Sequence, residues 1–295
     1  MRILVTGGSG FTGQNIREEF KKKYTLFAPS HKELDLTHFR QVEEYIGRHK
    51  ITHVIHTAIK GGDTVLETTL RMFVNLLLNT DRLEKIIHLG SGAEYGKTRD
   101  LKKIKEEEFG QFIPEDSYGL AKYCCSLMSQ KEKKIVTLRL FGIYGEYEDY
   151  RYKFISNTIV KNLLGLPMRI KQDVVFDYLY MHDLLSVIEH FLLKPCKHQE
   201  YNITPTKSVT LSEIVRIVNK ISDHSSPVTI VNKGYNFQYT GDNARLRREI
   251  PQLRFTSYEE GIRRLFLFYK QNLATIDKKT VVEDDYFQKC RVKRR

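Results

Sequence analysis

Apolar residues recur along this chain in two rhythms, and their alternation predicts the architecture. Short β-rich apolar runs at 2–6, 24–28, 52–58 and 85–89 carry too few polar positions to face water on either side. They read as strands buried inside a parallel sheet. Between them, 14–22, 37–49 and a stretch through Leu70, Phe73, Leu76 and Leu77 repeat their apolar residues at helical spacing, with one face inward. Strand and helix therefore alternate through the first half, which predicts a doubly wound α/β fold. The second half is less regular. An amphipathic helix is expected at 154–164 and stops at Gly165-Leu166-Pro167; strand and helix return to the sheet over 174–205. A helix follows at 211–221, capped by Thr210 or Ser212.

The loop after the first strand is Gly7-Gly8-Ser9-Gly10-Phe11-Thr12-Gly13. Glycines at 7, 10 and 13 allow a tight turn, close approach of backbone to phosphate, and close packing of helix on strand. The helix start that follows offers free amides to an anion. Gly7, Gly10, Phe11, Thr12 and Gly13 are thus candidate dinucleotide-binding residues, and 1–150 reads as the dinucleotide-binding domain. The second strand ends in Ser30, His31 and Lys32, donors and cations rather than the acid expected for a ribose 2′-hydroxyl. That favours NADP, with NAD the alternative because Glu33 follows closely. Asp35 and Leu36 meet the adenine, unless Asp35 instead caps the next helix. Thr57, Ala58 and Lys60 close the third strand end on the same rim.

A helix is expected to begin near Asp116 and to carry Tyr118 and Lys122 on one face, four residues apart. An ammonium fixed beside a phenol stabilises phenolate and lets tyrosine trade a proton near neutral pH. Ser91 ends the fourth strand, on the rim where ligands of such sheets bind.

Composition changes little in this picture. The chain has 295 residues, 41% hydrophobic and 28% charged, enough for one large core or two domains. No apolar run reaches the roughly 20 residues of a membrane span, so a cytoplasmic location without membrane contact is expected. Cys124, Cys125, Cys196 and Cys290 lack metal-ligand spacing and read as reduced thiols, with no metal site expected. A net charge of +12 raises nucleic acid as a partner, but the charge is spread out. Its two clusters, Lys21-Lys22-Lys23 and the terminal Arg291 to Arg295, read as solvated surface and tail, and nucleic acid as an unlikely partner. Residues 151–271 form a substrate lobe, and 272–295 a charged tail, disordered or in contact with another subunit.

Taken in order, these motifs resemble the extended short-chain dehydrogenase/reductase family, the NAD(P)-dependent sugar-nucleotide epimerases, dehydratases and ketoreductases. The resemblance rests on 6–13, Ser91 with Tyr95-Gly96, Tyr118 with Lys122, 139–145, 177–184 and 258–262. It implies a doubly wound (Rossmann) parallel sheet with a smaller C-terminal substrate-binding lobe, a nucleotide-sugar substrate, and a homodimer. It also implies roles: Tyr118 as general acid or base, Lys122 as its partner on the nicotinamide ribose, and Ser91 as a bond to the substrate oxygen. Dehydratases of the family place an Asp-Glu pair after that serine, where this chain has Gly92-Ala93. The likeness is closer to the GDP-fucose synthase branch, which uses a cysteine and a histidine to epimerise. Here Ala93 and Lys153 stand at those positions. Phe176 and Gly142 replace the family's usual arginine and asparagine. The expected activity is NADP-dependent 4-ketoreduction of a nucleotide-linked 4-keto-6-deoxyhexose; the alternatives are an NAD-dependent 4-epimerase and a catalytically silent nucleotide-sensing or nucleic-acid-binding protein. Glu94 is either structural or a substrate contact. Lys153, Asn157 and Lys161 are candidates for the substrate diphosphate, and Arg245, Arg247 and Arg248 for a phosphate.

Overall fold

In the computed structural model, which describes residues 1–292, six parallel strands form the central sheet. They are β1 (Arg2–Thr6), β2 (Thr25–Phe27), β3 (His53–His56), β4 (Lys85–Ser91), β6 (Ile135–Leu140) and β11 (Glu200–Ile203), side by side in the order β2-β1-β3-β4-β6-β11. The order reverses at β1, so the crevice for a ligand opens between the ends of β1 and β3. Helices α1 (Phe11–Phe20) and α6 (Met181–Leu193) bury Ile16, Phe20, Leu184 and Ile188 on one face. On the other, α2 (Phe39–Arg48), α3 (Val65–Leu77) and α4 (Ser117–Ser129) bury Val42, Ile46, Phe73, Leu76 and Cys125. Both faces of the inner strands β1, β3 and β4 are covered, which is why Ile3 to Val5, Val54-Ile55 and Ile86-Ile87 are continuous apolar runs.

The stretch from Gly96 to Asp116 reads from sequence as a loop. It contains β5 (Leu101–Ile104), which pairs with β14 (Tyr239–Gly241) about 138 positions away. Together with β9 (Val175–Phe176) and β12 (Val209–Thr210) these strands form a small second sheet. Two further pairs, β7 (Gly142–Tyr144) with β10 (Tyr178–Tyr180) and β8 (Met168–Asp173) with β13 (Val228–Tyr235), complete the strands. The smaller lobe has its own core around α5 (Phe154–Leu163), α7 (Leu211–Ile221) and α9 (Tyr258–Gln271). Thr210 caps α7 by accepting from the Glu213 amide, while the Glu213 carboxylate returns to the Thr210 amide. A short α8 (Ala244–Glu249) packs Leu246 and Ile250 back onto the main core.

Residues 272–292, expected as a tail, fold instead as α10 (Lys278–Glu283) and α11 (Asp285–Lys289) against the smaller lobe. Asp284 between them is buried and pairs with Lys161 at 2.6 Å, while Arg169 lies over the Phe287 ring at 3.8 Å. An ion pair shielded by aromatic rings gives a polar segment the order its composition alone does not. Lys293, Arg294 and Arg295 lie outside the described residues. Among the described residues no helix is long and apolar enough to cross a membrane, and no cluster of three metal-ligating side chains occurs.

Candidate active site

The glycine loop is shaped by what surrounds it. Gly7 adopts φ +69°, and a Cβ there would stand 2.8 Å from the Ala58 Cα and from the Thr57 hydroxyl. Gly13 has even less room, because a Cβ would collide with the Gly7 carbonyl and lie 2.7 Å from the Gly8 Cα. The Thr57 hydroxyl donates to the Thr6 carbonyl at 2.7 Å, and the Thr6 hydroxyl accepts from the Thr57 and Ala58 amides, so the two strand ends are locked together. Beside them opens a cavity of about 880 Å³. Of the cofactor candidates, Gly7, Ser30, His31, Asp35, Leu36, Ala58 and Lys60 line it, and Thr57 does not. Gly10, Phe11, Thr12 and Gly13 form the start of α1, whose first amides have no partner within the helix.

Two expectations about this cavity change. Lys32 is exposed and outside the lining, whereas Arg17 on α1 and Arg71 on α3 line it. Arg17 follows the glycine loop on α1, Arg71 sits on α3 outside any motif, and only the packed fold brings them to one wall. Asp35 lines the cavity, and its Oδ1 accepts from the Thr37 amide and hydroxyl, but it does not cap the next helix: α2 begins at Phe39 behind His38 with no side-chain cap. Glu33 turns its carboxylate onto the amide and hydroxyl of Ser30, which hold it below the usual carboxylate range.

Ser91, at the end of β4, enters a single 3₁₀ turn formed by residues 92–95. Its Oγ accepts from the Ala93 amide at 3.1 Å. Glu94 is completely buried: Oε1 accepts from the Ser91 amide at 2.7 Å, and Oε2 from the Ser126 hydroxyl at 2.7 Å and the Arg139 Nε at 2.6 Å. Both carboxylate oxygens are therefore bonded to protein and the side chain is closed off from solvent, so Glu94 holds the Ser91 turn instead of meeting substrate.

Asp116 caps α4 by accepting from the Gly119 amide, and Tyr118 and Lys122 follow on one face. The expectation that Lys122 lowers the Tyr118 pKa is corrected here. Lys122 is buried and its Nζ donates to the Leu89 carbonyl at 2.7 Å. Burial pulls this ammonium below its ordinary range, against the attraction of Cys125 and Glu94. The Tyr118 phenol is pushed up, by burial first, with the Ser91 hydrogen bond opposing and the Glu94 and Asp116 charges adding to the rise. Beneath Lys122 lie His56 and His88, fully buried and stacked 5.6 Å apart; burial, aided by the Lys122 charge, keeps both neutral and brings His56 to about 3. A cavity lined by Gly7 and Gly8 thus opens at the ends of β1 and β3, and a serine, a phenol and a buried ammonium, none of them in its lining, come from the end of β4 and the first turns of α4. The arrangement suits a dinucleotide and proton exchange at a substrate oxygen.

The model of the NAD dependent epimerase/dehydratase family matches residues 3–204. The chain belongs to that family. Among curated relatives, it is 26% identical over 259 residues to GDP-L-colitose synthase of Yersinia pseudotuberculosis, covering 75% of this chain and 82% of that one. It is 24% identical over 255 residues to GDP-6-deoxy-D-talose 4-dehydrogenase of Aggregatibacter actinomycetemcomitans, covering 77% and 82%. Its fold resembles that of the NADP-bound GDP-mannoheptose C4 reductase of Campylobacter jejuni, with TM-score 0.78, 19% identity and coverage of 91% and 98%. The GDP-L-fucose synthetase of Naegleria fowleri bound to NADP gives TM-score 0.79 at 16% identity, covering 94% and 96%.

In this epimerase/dehydratase family member the substrate-side candidates divide. Lys153 is exposed at the start of α5, and its charge reaches both Lys97 and Glu148. Asn157 is buried and donates to the Tyr150 carbonyl at 3.0 Å, so its amide holds the 146–153 loop. Lys161 is tied to Asp284 and is corrected to a structural cation. Arg245 pairs with Glu107 at 2.6 Å and lies near Glu106 and Glu200, which removes it from the phosphate candidates; Arg247 and Arg248 are exposed. Two side chains beside Ser91 and Tyr118 escaped the sequence reading. The Lys97 Nζ lies 5.0 Å from the centre of the Tyr118 ring, and Tyr239 reaches the Ser91 turn from the smaller lobe.

Proposed function

We propose that this enzyme is an NADP-dependent sugar-nucleotide 4-ketoreductase, acting on a nucleotide-linked 4-keto-6-deoxyhexose. The observation that carries the reading is the gathering of Ser91, Tyr118 and Lys122 beside residues 92–94, where the dehydratase acid-base pair and the epimerising cysteine have no counterpart free to act. Ala93 is buried and inert, Gly92 has no side chain, and Glu94 is fully committed to Ser91, Ser126 and Arg139. Removal of water, or proton exchange at a neighbouring carbon, needs a further acid-base pair. Reduction needs one acid only.

A bound NADPH supplies the hydride that reaches C4. Ser91 donates a hydrogen bond to the carbonyl oxygen and favours the charge that develops there. Tyr118 delivers the proton. Its raised pKa keeps the phenol protonated throughout the neutral range, which is the form an acid catalyst needs. Lys122 bonds the ribose hydroxyls with the ammonium protons left free after its Nζ donates to the Leu89 carbonyl. Preference for NADP is supported by Arg17, Arg71, His31 and Lys60 along the cavity, and by the absence of an ion pair on Arg71 among the described residues. The relatives' names, a GDP-colitose synthase and a GDP-6-deoxytalose 4-dehydrogenase, support a nucleotide-linked deoxy sugar. The reading includes a cytoplasmic homodimer, which sedimentation of the purified protein tests.

Tyr118→Phe should lower NADPH oxidation with a 4-keto-6-deoxyhexose nucleotide by about 10²- to 10⁴-fold while leaving cofactor affinity within about twofold. Full turnover by this variant would sink the assignment. Turnover of a 4-hydroxy sugar to its epimer without net loss of NADPH would replace it with the 4-epimerase.

A further inference from the structure

Tyr239 opens β14, the strand whose pairing with β5 and β9 was not legible in the sequence. Its ring is 8% exposed and is held 5.2 Å from Phe141 and 5.6 Å from Phe176, centre to centre. The hydroxyl lies 2.8 Å from the point where a Cβ on Gly92 would stand, so it reaches the residue that follows Ser91. The Lys97 ammonium stands 5.0 Å from the Tyr118 ring centre and 5.9 Å from that of Tyr239. Two phenols, one from each lobe, therefore converge on one serine turn, and the Ser91 hydroxyl bears on the charge state of both.

The valence of a hydroxyl limits what Ser91 can do among these partners. It has one proton and two lone pairs. The Ala93 amide occupies one lone pair. If Tyr239 donates to the other, the single Ser91 proton has one direction left, toward the Tyr118 oxygen or a substrate oxygen set beside it. Building on the ketoreductase reading, we propose that Tyr239 is a positioning residue, whose hydroxyl donates to Ser91 Oγ and thereby fixes Ser91 as a donor to the substrate carbonyl. The carbonyl then meets two donors, Ser91 and Tyr118, already aimed before it arrives, which is where preorganised hydrogen bonds gain their effect. Tyr239 does not transfer its own proton. Its burial, which keeps the phenol neutral, suits a permanent donor.

Tyr239→Phe deletes the hydroxyl and keeps the packed ring. We expect kcat to fall at least about tenfold, with KM and the NADPH Kd within about twofold. In a Ser91→Ala background, followed by single-turnover kinetics, the same change should alter the rate by less than about twofold, because no serine proton remains to be aimed. Equal losses in both backgrounds overturn the proposal, as does an undiminished kcat in the single variant. A packing role alone would move the melting temperature and would not depend on Ser91. A crystal structure of the holoenzyme decides independently of turnover: the Tyr239 and Ser91 oxygens should lie within about 3 Å of each other. A phenol turned away overturns the proposal even in an active enzyme. If the wild type reduces none of a panel of 4-keto sugar nucleotides, the ketoreductase reading fails, and that distance alone decides whether Tyr239 orients Ser91.

Discussion

Arg139 is the largest side chain wholly withdrawn from water, and its removal makes a sharp test of how the Ser91 turn is held. Its Nε meets Glu94 and its Nη2 meets Glu200, each at 2.6 Å, and its guanidinium lies 4.0 Å from the centre of the Phe109 ring. Glu94, in turn, accepts the Ser91 amide. Replacing Arg139 by methionine keeps much of the volume and strands the Glu94 charge in the core. Breaking one side of a buried pair costs about 3–5 kcal/mol, against about 1 kcal/mol for the neutral hydrogen bonds and packing that also change. We therefore expect Arg139→Met to lose about 4 kcal/mol in urea unfolding, with kcat reduced because the Ser91 turn loosens. Adding Glu94→Gln removes the stranded charge while its amide oxygen still accepts from Ser91. The double variant should recover at least half of the loss. A single variant destabilised by less than about 1 kcal/mol, or a double variant no better than the single, would refute the argument.

Two other perturbations address the cofactor loop and the buried carboxylate of the smaller lobe. Gly13→Ala places a methyl group against the Gly7 carbonyl and Gly8 Cα, backbone that cannot move without reshaping the loop, so NADPH affinity measured by fluorescence should drop at least about tenfold while the fold's circular dichroism persists. Glu148 is buried against Ser156, and burial pushes its carboxyl up to about 8, with the Ser156 hydrogen bond and the Lys153 charge opposing. A folded pKa above the unfolded value gives a penalty that is absent near pH 4.5, grows as pH rises, and is complete above about pH 8. Wild type should thus lose stability relative to Glu148→Gln between pH 5 and 8, by about 1–4 kcal/mol in chemical unfolding; a constant gap would contradict the burial account.

The α/β sheet was legible because its information is local. Val54 and Ile55, or Ile86 and Ile87, announce a strand covered on both faces by themselves, and Gly7 and Gly13 announce a turn that tolerates no side chain. Tyr118 and Lys122 are linked by four positions of one helix, so their common face needed no tertiary knowledge. What was missed depends on distant partners. β5 is a polar tetrapeptide, Leu-Lys-Lys-Ile, that becomes a strand only because β14 lies alongside. Residues 277–289 look like solvent-exposed tail until Lys161, an apparent surface lysine of α5, is found beneath Asp284.

The same distinction explains the errors at the site itself. The i,i+4 spacing correctly put Lys122 and Tyr118 on one face, but spacing says nothing of which acceptor the ammonium chooses, and the Leu89 carbonyl at the end of β4 competes for it at 2.7 Å. Glu94 looked free to meet substrate because its compensating cation, Arg139, stands 45 positions away on the neighbouring strand. The phenol feels Ser91, Glu94 and Asp116, while Arg139 on β6 holds Glu94, and two groups with no motif of their own, Lys97 in the following loop and Tyr239 on β14, stand beside Tyr118 and the Ser91 turn. A family pattern singles out the atoms that the proposed reaction uses to exchange a proton. Their orientation and charge come from whichever side chains the smaller lobe and the sheet edge press against them, and it is there that members of one family can diverge in the reaction they favour.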